Sequence, residues 1–273
     1  MAESLLDIGF VGAGEMACAM VAGIVSKLNP KSIMASSPTG ATKLDRYGAV
    51  CSKSNSEIFK NCKIVVIACK PTQVPDILKE WKDSVKKDSI KASGVVSICA
   101  GVKLSQLEEL NCPVIRIMPN LGVRVGAGTL PYCTSANCTE DFEKSVMSIF
   151  EPLGLAVKVP EKFFNAAQGI SGCGPAFIAL FIESLVDAGV REGLTRDVAW
   201  RLACQTVYGT GKLMLETNTS PSDLKYKVCS PGGVSIAGVV SLEKTGFRSS
   251  VIEAHRATIE KTKEMERAAQ GMN

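Results

Sequence analysis

Two glycines set between an apolar run and a helical pattern constrain the fold of this chain more than any other feature. Residues Leu6–Val11 form an almost continuous apolar run, which predicts a buried strand, and a helical pattern begins at Met16. Gly12 and Gly14 lie between these segments, and Ala17 follows in the first helical turn. A strand that turns so tightly into a helix is typical of the first unit of a layered α/β sheet.

Short β-branched runs alternate with amphipathic patterns over the first 160 residues. The predicted strands are Leu6–Val11, Ser32–Ala35, Ile64–Ala68, Val95–Ile98, Val114–Met118 and Ala156–Val159. The predicted helices are Met16–Leu28, Ser56–Lys60, Val74–Trp81, Leu104–Leu110 and Glu140–Phe150. This alternation with short connections predicts a doubly wound, Rossmann-type α/β sheet over residues 1–160.

No convincing strand pattern follows Pro160, so residues 161–273 are predicted to form an all-α domain. Its predicted helices are Phe163–Gly193, Arg196–Glu216, Pro221–Val228, Ser235–Lys244 and Arg248–Ala269. The longest apolar run, Ala176–Ile182, is interpreted as part of a buried helix that is apolar on more than one face. Because so small a domain needs a second subunit to bury such a helix, we expect it to be a dimerisation domain.

The glycine-rich turn also predicts a bound dinucleotide. Gly12 permits the tight turn, Gly14 lets a pyrophosphate approach the backbone, and Ala17 keeps the helix close to the strand. The alternative is a tight turn made for packing alone. The predicted cofactor-binding residues are Gly12, Gly14, Glu15, Met16, Ala17, Ser36, Ser37, Asn55, Ala68, Lys70, Pro71 and Asn120.

Three of these predictions depend on where strands end. Ser36 and Ser37 follow the second strand without an acidic residue, and Lys43 is nearby, which favours NADPH while leaving NADH possible. Lys70 follows another strand, where it is either a cofactor neighbour or a solvated charge. Asn120 ends a further strand, where its side chain is able to hydrogen-bond a carboxamide or a substrate.

Composition excludes several classes of function. The net charge of +4 is mild and no basic run is present, so we expect no nucleic-acid partner. His255 is the single histidine, which argues against a histidine-based metal site or hydrolytic triad. The eleven cysteines are scattered singly, as in a protein without a disulfide framework. With no run of the length that spans a bilayer and no leader pattern, we expect no membrane partner and a cytoplasmic location.

A second glycine-rich segment, Ser230–Ile236, indicates what is bound besides the dinucleotide. Gly232 and Gly233 expose backbone N–H groups, and the hydroxyls of Ser230 and Ser235 flank them. These four residues are predicted to bind a small carboxylate substrate, and the loop is also able to hydrogen-bond a neighbouring nitrogen. The alternative for Ser235 is a helix N-cap.

Taken in order along the chain, these motifs resemble the Δ1-pyrroline-5-carboxylate reductases. The matching segments are Gly9–Ala17, Lys70–Pro71, Ile115–Asn120, Ser171–Ala176, Ser230–Gly233 and Gly246–Arg248. The resemblance implies NAD(P)H-dependent reduction of a cyclic imine to proline, the last step of proline biosynthesis. It also implies a Rossmann domain followed by a helical domain whose dimers assemble into larger rings, commonly decamers.

Two residues depart from the family pattern. The resemblance implies that the hydroxyl of Ser235 contacts the ring nitrogen of the substrate, which makes Ser235 the predicted catalytic residue. Ser235 stands where the family usually has Thr, which keeps the hydroxyl but loses its β-branched positioning. Cys173 stands where the family usually has Ser, and a thiol is the weaker donor. One alternative function is a β-hydroxyacid dehydrogenase, but the helix through Val190 lacks the lysine which that family requires. The other is a non-catalytic NADP sensor that has kept the fold.

Overall fold

The computed structural model describes residues 5–38, 40–87 and 90–269, and these divide into two compact units. The sheet unit comprises Met1–Gly172 together with Ile259–Asn273, and the helical unit comprises Cys173–Thr258. The last helix therefore begins in the helical unit and ends in the sheet unit. Each unit is described by itself.

Eight strands form the single sheet of the sheet unit. They are β1 (Leu6–Val11), β2 (Ile33–Ser36), β3 (Val50–Ser52), β4 (Cys62–Ile67), β5 (Gly94–Ser97), β6 (Val114–Ile117), β7 (Gly128–Thr134) and β8 (Gly154–Lys158). Their order is β3-β2-β1-β4-β5-β6-β7-β8, with all neighbours parallel except β6 and β7. The predicted doubly wound α/β sheet is confirmed, although β3 and β7 were not predicted.

In the described part of the sheet unit, seven helices and the end of the last helix of the chain accompany this sheet. The seven are α1 (Glu15–Ile24), α2 (Thr42–Asp45), α3 (Asn55–Asn61), α4 (Val74–Lys86), α5 (Leu104–Leu107), α6 (Glu140–Phe150) and α7 (Phe164–Ser171). One apolar core includes Met20 and Phe150, and the other includes Phe59 and Trp81, whose rings lie 5.1 Å apart. The indole N–H of Trp81 donates to the Leu110 carbonyl at 3.1 Å, so this ring is both packed and hydrogen-bonded.

The strand order places a crevice beside β1. The chain runs from β1 to β2 and β3 on one side, then returns to β4 on the other side of β1. In open α/β sheets, ligands bind at the carboxyl edge where the strand order reverses in this way. The glycine-rich turn follows β1 at this edge.

The helical unit is built from five helices. They are α8 (Gly174–Arg191), α9 (Arg196–Thr217), α10 (Pro221–Val228), α11 (Val234–Lys244) and the first part of α12 (Phe247–Ala269). Helices α8 and α9 approach closely, because a Cβ on Gly189 would lie 3.1 Å from the Cβ of Ala199. Thr195 caps α9 and Ser220 caps α10, as each accepts a backbone N–H of the first turn.

One prediction about the helical half was wrong, and another, the burial of Ala176–Ile182, is not met by the contacts of a single chain. The predicted helix Phe163–Gly193 is divided into α7 and α8 at Gly172 and Cys173, with Pro175 in the first turn of the second helix. The run Ala176–Ile182 is not buried within the chain, since Ile178 is 47% exposed and Leu180 is 64% exposed. An apolar helix on a small unit has too few neighbours to cover all of its faces.

The helical stretch Glu161–Arg191 is long and apolar enough to cross a membrane by length and composition alone. Only 17% of its most apolar window is buried within the chain. A core or interface helix of a soluble protein passes the same test, so this property by itself is weak support for a membrane span.

Candidate functional site

The turn after β1 has a shape that only glycine accommodates. Gly12 has a φ of +112°, and its N–H donates to the Ser36 carbonyl at 2.9 Å. A Cβ at Gly12 would lie 2.5 Å from the carbonyl oxygen of Ala68, which is backbone and has little freedom to move. The turn is therefore held between the carboxyl ends of β2 and β4.

The amino end of helix α1 is open where a ligand would approach it. Gly14 is the N-cap residue, makes no side-chain cap, and has nothing within 4 Å of where a Cβ would lie. The first N–H groups of a helix have no partner within the helix, and with the helix dipole they favour an anion. Met16 is half-buried and Ala17 is fully buried against the sheet. This cradle fits the pyrophosphate of a dinucleotide.

Glu15 brings a negative charge to the same helix end, and Lys43 offsets it. The Lys43 ammonium donates to the Glu15 carboxylate at 2.9 Å, and both side chains are exposed. The hydrogen bond from Lys43 lowers the pKa of Glu15, so this carboxyl is ionised at neutral pH. Lys43 is therefore already paired with the Glu15 carboxylate of the protein, so its charge is partly neutralised before any ligand phosphate binds.

A group of polar side chains lies beyond the carboxyl end of β2. The buried Ser36 hydroxyl donates to the Asn55 side-chain oxygen at 2.7 Å, while the Asn55 amide donates to Glu80 at 2.8 Å. The backbone N–H of Ser37 donates to the Ser52 carbonyl at 3.3 Å. Asn55, which stands far from Ser36 in sequence, is thus brought next to the turn, and this neighbourhood carries hydroxyl and amide groups that suit a ribose phosphate.

Residues Ala68–Pro71 form the opposite wall of the crevice. Ala68 donates its N–H to the Val11 carbonyl at 2.8 Å, which ties it to β1. Lys70 is exposed, and within the described residues its ammonium has no carboxylate partner. Pro71 begins a short 3₁₀ turn, Pro71–Gln73, which turns the chain away from the sheet.

Asn120 is engaged within the protein. Its side-chain oxygen accepts from the backbone N–H groups of Gly122 at 3.1 Å and Thr129 at 3.3 Å. Its amide donates to the Ser171 carbonyl at 2.9 Å, which joins the end of β6 to the end of α7. One amide N–H remains for a ligand, so the predicted contact with a carboxamide or substrate stays a prediction.

Arg116 is a functional candidate for which sequence reasoning assigned no role. It lies on β6 with 1% of its surface exposed, donates to Glu161 at 3.2 Å, and its guanidinium carbon lies 4.1 Å from the centre of the Phe164 ring. Burial lowers the pKa of Arg116, against the opposing effect of nearby Glu161. A charged residue inside an apolar strand was the available signal. Its contacts fix α7 against β6, which is where Asn120 holds Ser171.

The loop between α10 and α11 places the predicted substrate residues side by side. Gly232 has a φ of +67°, and the N–H of Gly233 donates to the Ser230 carbonyl at 3.0 Å. A Cβ on Gly233 would lie 2.3 Å from the Ser230 hydroxyl oxygen, so that hydroxyl rests directly on the glycine backbone. Gly233 is also the N-cap of α11, which leaves the first N–H groups of this helix facing the loop.

The N-cap interpretation of Ser235 was wrong. Helix α11 begins at Val234, so Ser235 is the second helical residue. In the part of the chain that the structure describes, the hydroxyls of Ser230 and Ser235 have no hydrogen-bond partner, and both residues are exposed. The loop therefore offers two unengaged hydroxyls and a helix amino end to an anionic ligand.

The structure thus assembles the predicted residues in two places. The sheet unit brings together Gly12–Ala17, Ser36, Asn55 and Ala68, and the helical unit brings together Ser230, Gly232, Gly233 and Ser235. Among the described residues, no cluster of His, Cys, Asp and Glu side chains has the arrangement of a metal site. The first cluster has backbone and polar groups that suit a dinucleotide, and the second has groups that suit a small anion.

Comparisons with known proteins agree with this division. Residues 7–101 match the family described as NADP oxidoreductase, coenzyme F420-dependent, and residues 161–265 match the family described as pyrroline-5-carboxylate reductase dimerisation. The chain is 37% identical to pyrroline-5-carboxylate reductase 3 of Danio rerio, with 95% of this chain and 91% of the relative covered. It is also 37% identical to the pyrroline-5-carboxylate reductase of Synechocystis, with 95% and 98% covered.

A solved structure extends the agreement to the fold. The pyrroline carboxylate reductase of Plasmodium falciparum, solved with NADP bound, is 33% identical and superposes with a TM-score of 0.83. The match covers 96% of this chain and 98% of that one. With near-complete coverage in sequence and in fold, this chain belongs to the pyrroline-5-carboxylate reductase family.

Proposed function

We propose that this chain reduces 1-pyrroline-5-carboxylate to L-proline with NADPH as the reductant. The observation that carries the proposal is the Ser230–Ser235 loop, which combines two unengaged hydroxyls, two glycines and the amino end of α11. Such a loop accepts a small carboxylate that also carries a nitrogen. The family to which the chain belongs supports the same reaction.

The sheet unit would hold the dinucleotide. The backbone of Gly12 and Gly14 and the first N–H groups of α1 would bind the pyrophosphate. Ser36, Ser37 and Asn55 would surround the ribose phosphate of NADPH, since the sequence that ends β2 and follows it, Ser36–Thr39, has no acidic residue to select the unphosphorylated ribose of NADH. When bound, NADPH supplies a hydride from its nicotinamide ring.

The helical unit would hold the substrate. We assign the substrate carboxylate to the Ser230 hydroxyl and the backbone N–H groups at Gly232 and Gly233. The Ser235 hydroxyl is assigned to the ring nitrogen, which makes it the catalytic residue. A cyclic imine is basic and is reactive towards hydride once protonated, so these residues need only bind and orient it. The chain's single histidine is consistent with chemistry that needs no strong general acid.

Self-association would cover the apolar side chains that the helical unit leaves exposed. The region matched to the dimerisation family begins at residue 161, where the proposed second domain (161–273) follows the first (1–160). The exposed apolar residues of α8 and α9, among them Leu180 and Trp200, would pack against a second copy. We further propose that dimers assemble into a decamer, that the protein is cytoplasmic, and that it associates with neither membranes nor nucleic acids.

The direct test combines purified protein, NADPH and 1-pyrroline-5-carboxylate, with nicotinamide oxidation and proline formation measured together. We expect both to proceed at equal rates, with NADH less effective. Oxidation of neither cofactor, despite measurable NADPH binding, would contradict the proposal and favour a non-catalytic sensor.

The role of Ser235 is tested by Ser235→Ala. Loss of one hydrogen bond to the reacting group should lower kcat/KM roughly ten- to a hundredfold while the Kd for NADPH stays unchanged. Ser241→Ala is the matched control, because Ser241 is an exposed serine of the same helix. A large rise in the Kd for NADPH, or an equal loss in the control, would contradict the assignment.

A further inference from the structure

Two cysteines lie side by side at the carboxyl edge of the sheet. Strands β4 and β5 are parallel and in register, and their last paired residues are Ile67 and Ser97. Cys69 and Cys99 each lie two residues beyond this pair, in the segments that leave the two neighbouring strands, and the Cys99 thiol reaches the Cys69 backbone. Adjacent strands lie about 4.8 Å apart. That separation is inside the range of roughly 4.4–6.8 Å between the Cα atoms of a disulfide.

The side chains of these cysteines meet on one face of the sheet. Cys99 is buried in the apolar core that includes Val65 and Ile67, and the half-buried Cys69 packs against the same core. The Cys99 thiol lies 3.3 Å from the Cys69 carbonyl oxygen. The Cys99 sulfur also lies 3.5 Å from the Ile67 carbonyl oxygen, so it faces the backbone that leads into Cys69.

The two thiols have different chemical characters. A hydrogen bond from Cys99 lowers the pKa of Cys69, against the opposing effect of burial. The same interaction and burial raise the pKa of Cys99. A more accessible thiol of lowered pKa beside a buried thiol of raised pKa is the arrangement of an attacking and a resolving cysteine.

The pair also touches the wall of the dinucleotide crevice. A Cβ on Gly12 would lie 3.0 Å from the backbone nitrogen of Cys69 and 2.5 Å from the oxygen of Ala68. In sequence, Cys69 lies between Ala68 and Lys70, two of the proposed cofactor-binding residues. Because Gly12 packs closely against the backbone of Ala68 and Cys69, that backbone has no free space in which to move an ångström towards Gly12.

We infer that Cys69 and Cys99 are a modification site, which a peroxide converts to a reversible disulfide, and that closing this bond weakens NADPH binding. The second part rests on the proposed function of the crevice. The oxidised form would be a protein whose nucleotide site is distorted while its sheet stays folded.

The chemistry balances with one peroxide as the oxidant. The Cys69 thiolate attacks a peroxide oxygen, the O–O bond breaks, and a sulfenic acid forms as the first water leaves after protonation. The Cys99 sulfur then attacks the Cys69 sulfur, and the sulfenic oxygen leaves as the second water. The two thiols lose two protons and two electrons in all, and hydrogen peroxide takes up both to become two waters. A dithiol reductant reverses the reaction by thiol–disulfide exchange.

The test compares reduced and hydrogen-peroxide-treated full-length protein. Mass spectrometry of alkylated peptides should find Cys69 linked to Cys99, and the Kd for NADPH, followed by nicotinamide fluorescence, should rise roughly tenfold. Dithiothreitol should restore both. Cys99→Ala should keep its Kd after peroxide, and Cys138→Ala, a half-buried thiol elsewhere in the sheet unit, should respond like the wild type.

Three results would overturn the inference. The first is the absence of the linked peptide while other thiols are oxidised, and the second is a linked peptide with an unchanged Kd. The third is a Cys99→Ala protein that loses NADPH affinity as much as the wild type does. Failure of the proposed function is distinguishable, because it is measured as absent turnover in the reduced wild-type protein before any peroxide is added. Only a reduced protein that does not bind NADPH would remove the basis of the second part, and the linked peptide is measured independently of both.

Discussion

The two units of this chain differ in how much of their apolar surface they bury within the chain. The sheet unit encloses large side chains completely, such as Phe10, Phe59 and Phe150. Within the described part of the helical unit, the buried apolar residues are Val186, Ala199 and Ala203, of which two are alanines. The sheet unit therefore has a core of its own, whereas the helical unit has faces that only another molecule can cover.

This difference follows from the geometry of the elements. A parallel sheet accepts helices on both faces, so one chain can cover each strand twice. A helix that is apolar on all sides needs neighbours on all sides, and a few helices from one chain cannot provide them. The stability of the helical unit should therefore depend on protein concentration, whereas that of the sheet unit should not.

The largest expected effect is that of a charge placed on the exposed face of α9. Trp200→Arg should prevent self-association, since an unpaired charge buried at an interface costs about 3–5 kcal/mol. Val85→Arg is the control, because Val85 and Trp200 are both 53% exposed but Val85 lies in the sheet unit. Sedimentation should show smaller particles for the first variant only. Equal assembly of both variants would contradict the dimerisation role of α9.

A pair of leucine truncations should give the next largest effect. Leu153→Ala removes a fully buried side chain of the sheet unit and should cost about 2–5 kcal/mol at every protein concentration. Leu180 is 64% exposed within the chain, so its truncation to alanine should hardly change the free energy of unfolding if the chain acts alone. We expect Leu180→Ala to destabilise the assembled protein by a similar amount, in denaturation measured over a range of concentrations. A negligible effect at all concentrations would mean that α8 has no partner.

Gly12→Ala should separate ligand binding from assembly. The substitution combines a positive φ with a 2.5 Å contact to backbone, so the turn must shift. We expect roughly a hundredfold loss of NADPH affinity, as for a misplacement of about an ångström. Titration calorimetry measures the loss, while sedimentation should show an unchanged assembly. Unchanged affinity would remove this turn from the site.

The smallest expected effect is a pH dependence that belongs to the sheet unit. Burial, with a hydrogen bond to Glu143, raises the pKa of Tyr132 from 10.0 to about 12. The folded state keeps this proton longer than the unfolded state, so the stabilisation is complete below pH 10 and is lost as the pH rises towards 12. Tyr132→Phe should cost about 1 kcal/mol at neutral pH and show a shallower decline above pH 10. An equal decline of the free energy of unfolding with pH above pH 10 in both proteins would contradict this prediction.

Elements with a strong local signal were predicted well. Strand β1 has the predicted limits because its residues form one apolar run, and α10 begins where Ser220 and Pro221 predict an N-cap and first turn. Strand β7 was missed because it contains Gly128 and Pro131, which argue against a strand in sequence. Its antiparallel pairing beside β6 is set by the sheet around it and has no local signal.

The site was predictable where one motif carries it. The Gly12–Ala17 turn follows directly from its glycines and its position after a strand. The contact between Ser36 and Asn55 depends on how two crossovers return to the sheet, and the internal bonds of Asn120 depend on where α7 ends. The neighbourhood of Cys69 and Cys99 depends on the register of two strands, which single cysteines do not reveal.

Helix α12 has a consequence for how this protein can be recombined. Its 23 residues, about 34 Å long, begin in one unit and end in the other. Near its end, the Glu266 carboxylate accepts from Asn165 at 3.0 Å and lies 3.8 Å from the Lys103 ammonium. In a chimera joined at a single point after residue 172, Glu266 would come from one parent protein and its partners at positions 103 and 165 from the other. Functional exchange between relatives should therefore transfer the C-terminal turns together with the N-terminal half.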